Sequence, residues 1–157
     1  MIKIGEKIPK SILRIKNEKI EEIITENIFL NCKTILFAVP GAFTPTCSAK
    51  HLPGYLEHYE KIIEKGVQKI ICLSVNDPHV MKEWGKHNNV SNKIMMLSDS
   101  DCSFSKRIGL DHHYGAILGH RSLRFAMVIE NNVLVKLFVD EVGVFKNSSA
   151  ENLLLNL

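Results

Sequence analysis

The sequence predicts an α/β fold: a central mixed β-sheet flanked by helices. Three observations carry that expectation. Apolar runs of strand length stand at residues 35–39, 69–75 and 94–97. Segments with apolar residues at helical spacing lie between and after them. Two further apolar runs, 123–129 and 133–139, are joined by Glu130-Asn131-Asn132. Alternating strands and helices imply parallel pairing, and a closing hairpin adds antiparallel strands.

Taken in order, Ile35-Leu36-Phe37-Ala38-Val39 reads as a buried strand stopped by Pro40-Gly41. Leu52, Tyr55, Leu56, Tyr59, Ile62 and Ile63 predict a helix ending near Gly66, kinked in its first turns by Pro53-Gly54. The run 69–75 is a second buried strand. Asn76-Asp77-Pro78 opens a helix through Val80, Met81 and Trp84. Ile94 to Leu97 form a third strand, and Ser98-Asp99-Ser100-Asp101 offer caps to a helix through Phe104 and Ile108. Asn131-Asn132 suits a tight hairpin turn, and Leu153, Leu154 and Leu157 mark a final helix. A thioredoxin-like sandwich is one fold with this order. The 157 residues, with no linker, repeat or low-complexity tract, predict one domain over 1–157.

Composition narrows the function. The formal charge of +3, with lysines scattered, gives no basic stripe for nucleic acid or membrane. The first residues, Met1 to Lys7, lack the apolar run of a secretory signal, and no stretch reaches the ~18 apolar residues of a span. A soluble cytoplasmic protein is expected. Cys32, Cys47, Cys72 and Cys102 form no C-x-x-C pair, which argues against zinc knuckles and thioredoxin-type dithiols. Each is first read as a small buried hydrophobe.

Cys47 departs from that reading. It lies in Val39-Pro40-Gly41-Ala42-Phe43-Thr44-Pro45-Thr46-Cys47-Ser48, a strand exit that enters a helix. Unpaired N–H groups and the dipole of a first helical turn favour an anion there, and the thiolate is the reactive form of cysteine. Thr44 could donate to or accept from a bound oxygen, or cap the helix.

The string PGAFTPTCS resembles the active-site signature of peroxiredoxins, with the core P-x-x-x-T-x-x-C at Pro40, Thr44 and Cys47. His51-Leu52-Pro53-Gly54-Tyr55 is similar to the type-5, or type II, subfamily. So are Cys72 to Asp77, followed by Glu83-Trp84-Gly85, and the stretch Arg121 to Asn131. The resemblance runs collinearly from about Gly5 to Leu157. It implies a thioredoxin fold and a peroxidase that acts on hydrogen peroxide or organic hydroperoxides, with no metal or organic cofactor. It implies that Cys47 is the attacking sulfur, that Thr44 binds the peroxide, that Pro40 shields the thiolate, and that Arg124 is the active-site arginine, with Arg121 as competitor. It also implies a sulfenic acid at Cys47, reduced by glutathione with glutaredoxin or by thioredoxin, and a homodimer.

Resolution of the sulfenic acid is the open step. Many type-5 members carry a C-terminal resolving cysteine; residues 141–157 have none, and Asn147 or Ser148 stands where it would be. Plant-type relatives use a cysteine 25 positions after the peroxidatic one, a spacing Cys72 has, but Cys72 reads as buried mid-strand. Cys102 has acidic neighbours that oppose a thiolate, and Cys32 precedes the first strand in a turn. His51, four residues after Cys47, raises a Cys-His hydrolase as an alternative, without an evident orienting partner. A peroxide sensor or binding protein on the same fold would use the same site. His112, His113 and His120 invite a metal, yet no carboxylate or cysteine stands at ligand spacing. Arg121 could pair with a surface carboxylate, and Trp84 reads as core.

Overall fold

The computed structural model describes residues 1–157. Its strands are β1 (Ile12–Lys16), β2 (Ile20–Ile24), β3 (Lys33–Ala38), β4 (Lys69–Ser74), β5 (Met95–Ser98), β6 (Asp111–His113), β7 (His120–Ser122), β8 (Phe125–Glu130) and β9 (Val133–Val139). Its helices are α1 (Thr25–Ile28), α2 (Leu52–Glu57), α3 (Tyr59–Glu64), α4 (Pro78–His87), α5 (Ser103–Arg107) and α6 (Ala150–Leu155). Seven strands make one sheet in the order β2-β1-β5-β4-β3-β8-β9, and β6 pairs with β7 alone. β3, β4 and β5 run parallel, whereas β8 and β9 are antiparallel additions.

The central strands are apolar throughout because both faces are covered. Side chains alternate along a strand. Ile35, Phe37, Ile70, Cys72, Ala126 and Val128 therefore join Tyr55, Ile62, Trp84 and Leu153 in one core layer. Leu36, Ala38, Ile71, Leu73, Met127 and Ile129 face the other way, onto Ile28, Phe29, Phe104 and Ile108. Helices thus flank both faces of a mixed sheet, the architecture expected from the sequence.

Local signals account for most boundaries. Asn131 (φ 44°) and Asn132 (φ 66°) form a two-residue loop with both residues left-handed, as the β8–β9 hairpin requires. The Asp77 side chain accepts from His79 and Val80 N–H at the start of α4, where Pro78 opens the helix. Asp99 accepts from Phe104 and Ser105 N–H above α5.

The helix over 52–66 differs from expectation. Helical backbone starts at Pro45, widens into a π-turn over Cys47–His51, continues as α2, breaks at His58 and resumes as α3. Leu52 N–H bonds the Cys47 carbonyl, five residues back, and Pro53 then has no N–H to return the register at once. The π-turn therefore precedes Pro53-Gly54, and the break at His58 follows it. The β1–β2 hairpin, α1 and the β6–β7 pair were not anticipated.

Candidate active site

Cys47 is held at the seam between β3 and the helix that follows. β3 ends at Ala38, Val39 is buried, and the chain turns through Pro40–Thr44. Asn76, at the end of β4, ties that turn down: its Oδ1 accepts from Ala42 N–H at 2.8 Å and from Ser74 Oγ at 2.7 Å. Phe43 takes the left-handed conformation (φ 59°) and stays half exposed, with its ring near Trp84 and His87. Trp84 is core, as expected, and its indole N–H also donates to Ser48 Oγ at 3.0 Å.

Thr44 opens the helix. Its carbonyl accepts from Ser48 N–H, Pro45 occupies the first helical position, and Cys47 falls in the first turn, fully buried. The Thr44 hydroxyl donates to the Gly41 carbonyl at 2.6 Å. A hydroxyl has one proton to give, so Thr44 faces any bound oxygen as an acceptor. Sequence alone left both roles open.

Arg124 immediately precedes β8, antiparallel to β3, and the fold brings it across the chain to Cys47. Its Nη2 donates to Cys47 Sγ at 3.2 Å and its Nη1 to His51 Nδ1 at 2.9 Å. The phenyl ring of Phe145 lies 5.7 Å from the guanidinium carbon, within cation–π range.

His51 is fully buried in the π-turn. Burial first, and the Arg124 charge second, lower its pKa to about 3. The ring is therefore neutral at ordinary pH. Since Nδ1 accepts from arginine, which cannot accept, the proton sits on Nε2, which donates to the Ser148 carbonyl at 3.2 Å. Both nitrogens are thus engaged away from sulfur. That arrangement opposes the Cys-His hydrolase reading, which needs an imidazole that takes the thiol proton.

The other arginine does something else. Arg121 meets no carboxylate; its Nη1 donates to the Pro40 carbonyl at 2.9 Å and its Nε to the Leu118 carbonyl at 2.7 Å. Pro40, half-buried, is thereby anchored through its backbone. A Cβ on Gly41 would lie 2.5 Å from Arg121 Nη1, so glycine is needed for this approach.

Cys72 lies mid-β4 in the same core layer as Cys47, buried and unpaired. Burial, and then the charge of Cys47, push its thiol well above the ordinary cysteine range. Cys102 is likewise raised, to about 11, by burial and then by Asp99. Cys32 contacts the Ile28 carbonyl and the Thr34 hydroxyl. The histidines gain a partner that sequence spacing did not reveal: His120 Nε2 lies 2.5 Å from Asp111 Oδ2 across β6–β7. The Ser148 carbonyl, Asp140 and Phe145 were also missed, because the first is a backbone group and the others carry no motif; Tyr55 was read only as a helix and motif residue, without its bond to the Ser148 carbonyl.

Comparison with known proteins agrees with this geometry. The Redoxin family model matches residues 3–154. Peroxiredoxin-2E, chloroplastic, of Arabidopsis thaliana is 39% identical over 161 residues, covering 98% of this chain and 68% of that protein. The reduced Prx3 of Vibrio vulnificus, solved in complex with hydrogen peroxide, superposes with a TM-score of 0.96 at 41% identity, covering 99% of both chains. The antioxidant protein of Plasmodium falciparum, described as a 1-Cys peroxiredoxin, gives 0.91 at 33% identity, covering 97% of this chain and 96% of that one. A family match over almost the whole length, joined to these relatives, settles the affiliation: the chain belongs to the redoxin family and is a peroxiredoxin, a thiol-dependent peroxidase.

Proposed function

We propose that Cys47 is the peroxidatic sulfur and that its oxidised form is reduced by a thiol from outside the chain. The observation that carries this reading is the Arg124 guanidinium, which donates to Cys47 Sγ at 3.2 Å. A permanent cation at hydrogen-bond distance favours the thiolate and can stabilise the oxygen that leaves. In the reaction the thiolate forms a bond to one peroxide oxygen while the O–O bond breaks. The electron pair departs with the second oxygen, as hydroxide or alkoxide, which then takes a proton from solvent. Cys47 becomes a sulfenic acid, the first reversible step of cysteine oxidation. Thr44, its proton committed to Gly41, accepts a hydrogen bond from the peroxide O–H and orients it. Pro40, pinned through Arg121, walls the sulfur from water.

External reduction is favoured by the state of Cys72. A buried thiol held neutral is a poor nucleophile toward a sulfenic acid. A disulfide also needs Cα atoms within about 7 Å and aligned Cβ vectors, and β4 is locked on both sides by β3 and β5. Glutathione with glutaredoxin, or thioredoxin, would close the cycle, in a cytoplasm that keeps such thiols reduced. A homodimer belongs to the same reading: Phe43 and Ile117 leave apolar surface exposed that a second copy would cover. No helix is long and apolar enough to cross a membrane.

The test is steady-state consumption of hydrogen peroxide and a small organic hydroperoxide, with each reductant system in turn. Turnover should depend on Cys47 and on one of the two systems. Unchanged turnover in Cys47→Ser protein would falsify the assignment of the sulfur.

A further inference from the structure

Asp140 lies at the end of β9, and its backbone N–H bonds the Arg124 carbonyl at 3.0 Å. The chain then leaves this point, loops over residues 141–149 and comes back onto the active-site helix. The Asp140 carboxylate, only 2% exposed, holds the returning end. Its Oδ1 accepts from Lys146 N–H (3.2 Å) and Asn147 N–H (2.6 Å). Its Oδ2 accepts from Ser148 N–H (3.3 Å) and Ser148 Oγ (2.5 Å). Four donors converge on one carboxylate with no cation beside it, and a buried carboxylate is costly unless so satisfied.

Those bonds fix the 146–148 turn and pin Ser148 by both its N–H and its side chain. So held, Ser148 presents its carbonyl inward, where it accepts from Tyr55 Oη at 2.7 Å and from His51 Nε2 at 3.2 Å. That carbonyl, which can only accept, and Arg124, which can only donate, together select the His51 tautomer. A proton on Nε2 leaves Nδ1 as a lone pair, and the lone pair takes one arm of Arg124 so that the other reaches Cys47. Phe145, on the same loop, stands against both His51 and Arg124.

We infer that Asp140 is a positioning residue for the peroxidase reaction, aiming the Arg124 guanidinium through the Ser148 carbonyl and His51. The inference rests on Cys47 and Arg124 having the roles proposed above. Losing the carboxylate frees the 146–148 turn, lets the imidazole change tautomer or rotate, and leaves Arg124 anchored at one end. The attack on peroxide, where that guanidinium meets developing charge, then suffers more than a reaction of the same sulfur that makes no such demand.

The test compares two reactions of Cys47 in the full-length protein and in Asp140→Asn, which keeps shape but presents an amide. Both reactions are run at a pH where ultraviolet absorbance shows the Cys47 thiolate fully formed in each protein; peroxide oxidation is followed by stopped flow, and alkylation by iodoacetamide reports the same thiolate without an O–O bond to polarise. Misplacement of a positioned group by about an ångström can cost roughly a hundredfold. We expect the peroxide rate to fall by about tenfold to a hundredfold, with alkylation changed by no more than about twofold, circular dichroism native, and ¹⁵N NMR of His51 no longer showing a single Nε2–H tautomer. A wild-type peroxide rate, or parallel loss of both reactions, overturns the inference. Should Asp140→Asn not fold, Ser148→Ala, which removes one of the four donors, decides on the same pair of rates: selective loss supports the inference, and parallel or no loss overturns it. If Cys47→Ser protein still reacts fast with peroxide, the underlying site reading fails instead, an outcome these variants cannot mimic.

Discussion

Arg124 divides its guanidinium between sulfur and imidazole, and that division makes it irreplaceable by lysine. A lysine keeps the charge but has no planar fork with which to bind two acceptors at once. Arg124→Lys should cost about 2.7–4 kcal/mol in the peroxide step, roughly a hundredfold to a thousandfold in rate, with native circular dichroism. If Arg121→Lys alone shows that loss, Arg121 is the arginine that matters. Thr44 is decided by one proton. Because its hydroxyl is committed as donor to Gly41, Thr44→Ser should retain most of the rate, whereas Thr44→Val, which has the shape without the oxygen, should lose it. Equal rates in the two variants would contradict the acceptor role.

At the scale of elements, the strands that build the site were the most legible. β3, β4, β5 and the β8–β9 pair are buried on both faces or joined by an Asn-Asn loop, so they appear as apolar runs, broken mid-strand only at Lys136 of β9, with turn residues between. The β1–β2 hairpin was opaque because it lies at the sheet edge, where Arg14, Lys16, Glu21 and Glu22 interrupt the pattern. The signature around Cys47 made Pro40, Thr44 and the sulfur readable. Arg124 could be named from its neighbours, yet its approach to sulfur depends on the β3–β8 pairing, which places residues more than seventy positions apart side by side. The π-turn that carries His51 inward leaves no simple apolar period to read. β4 yields its own prediction. Cys72→Ser puts a hydroxyl into an apolar layer and should destabilise the fold by about 1–3 kcal/mol, measured by denaturant titration, while leaving the first reaction with peroxide at the wild-type rate. A slowed first reaction would contradict the separation of Cys72 from the chemistry.

The whole molecule registers the buried histidine through its acid stability. His51 has a folded pKa near 3, against 6.5 for the ordinary side chain, so the unfolded chain takes up its proton first as pH falls. Stability from this group is fully present above about pH 6.5 and declines as pH drops toward 3, below which it changes no further. Between pH 7 and pH 5 the loss should be about 2 kcal/mol, on linkage of 1.36 kcal/mol per pKa unit. His51→Gln protein should lack this increment, seen as a shallower fall of unfolding free energy over the same interval. Identical pH slopes in the two proteins would mean that His51 is not held neutral by the fold.

The central claim, that Cys47 alone meets the peroxide and waits for an external thiol, is tested most directly by mass spectrometry of the full chain. The protein is treated with one equivalent of hydrogen peroxide in the absence of reductant, with dimedone present, and then in a second sample with glutathione. The account predicts a dimedone adduct on Cys47 in the first and a glutathione mixed disulfide on Cys47 in the second, with Cys32, Cys72 and Cys102 unmodified. A quantitative Cys47–Cys72 disulfide, within one chain or between two, would contradict it and make the protein a two-cysteine enzyme.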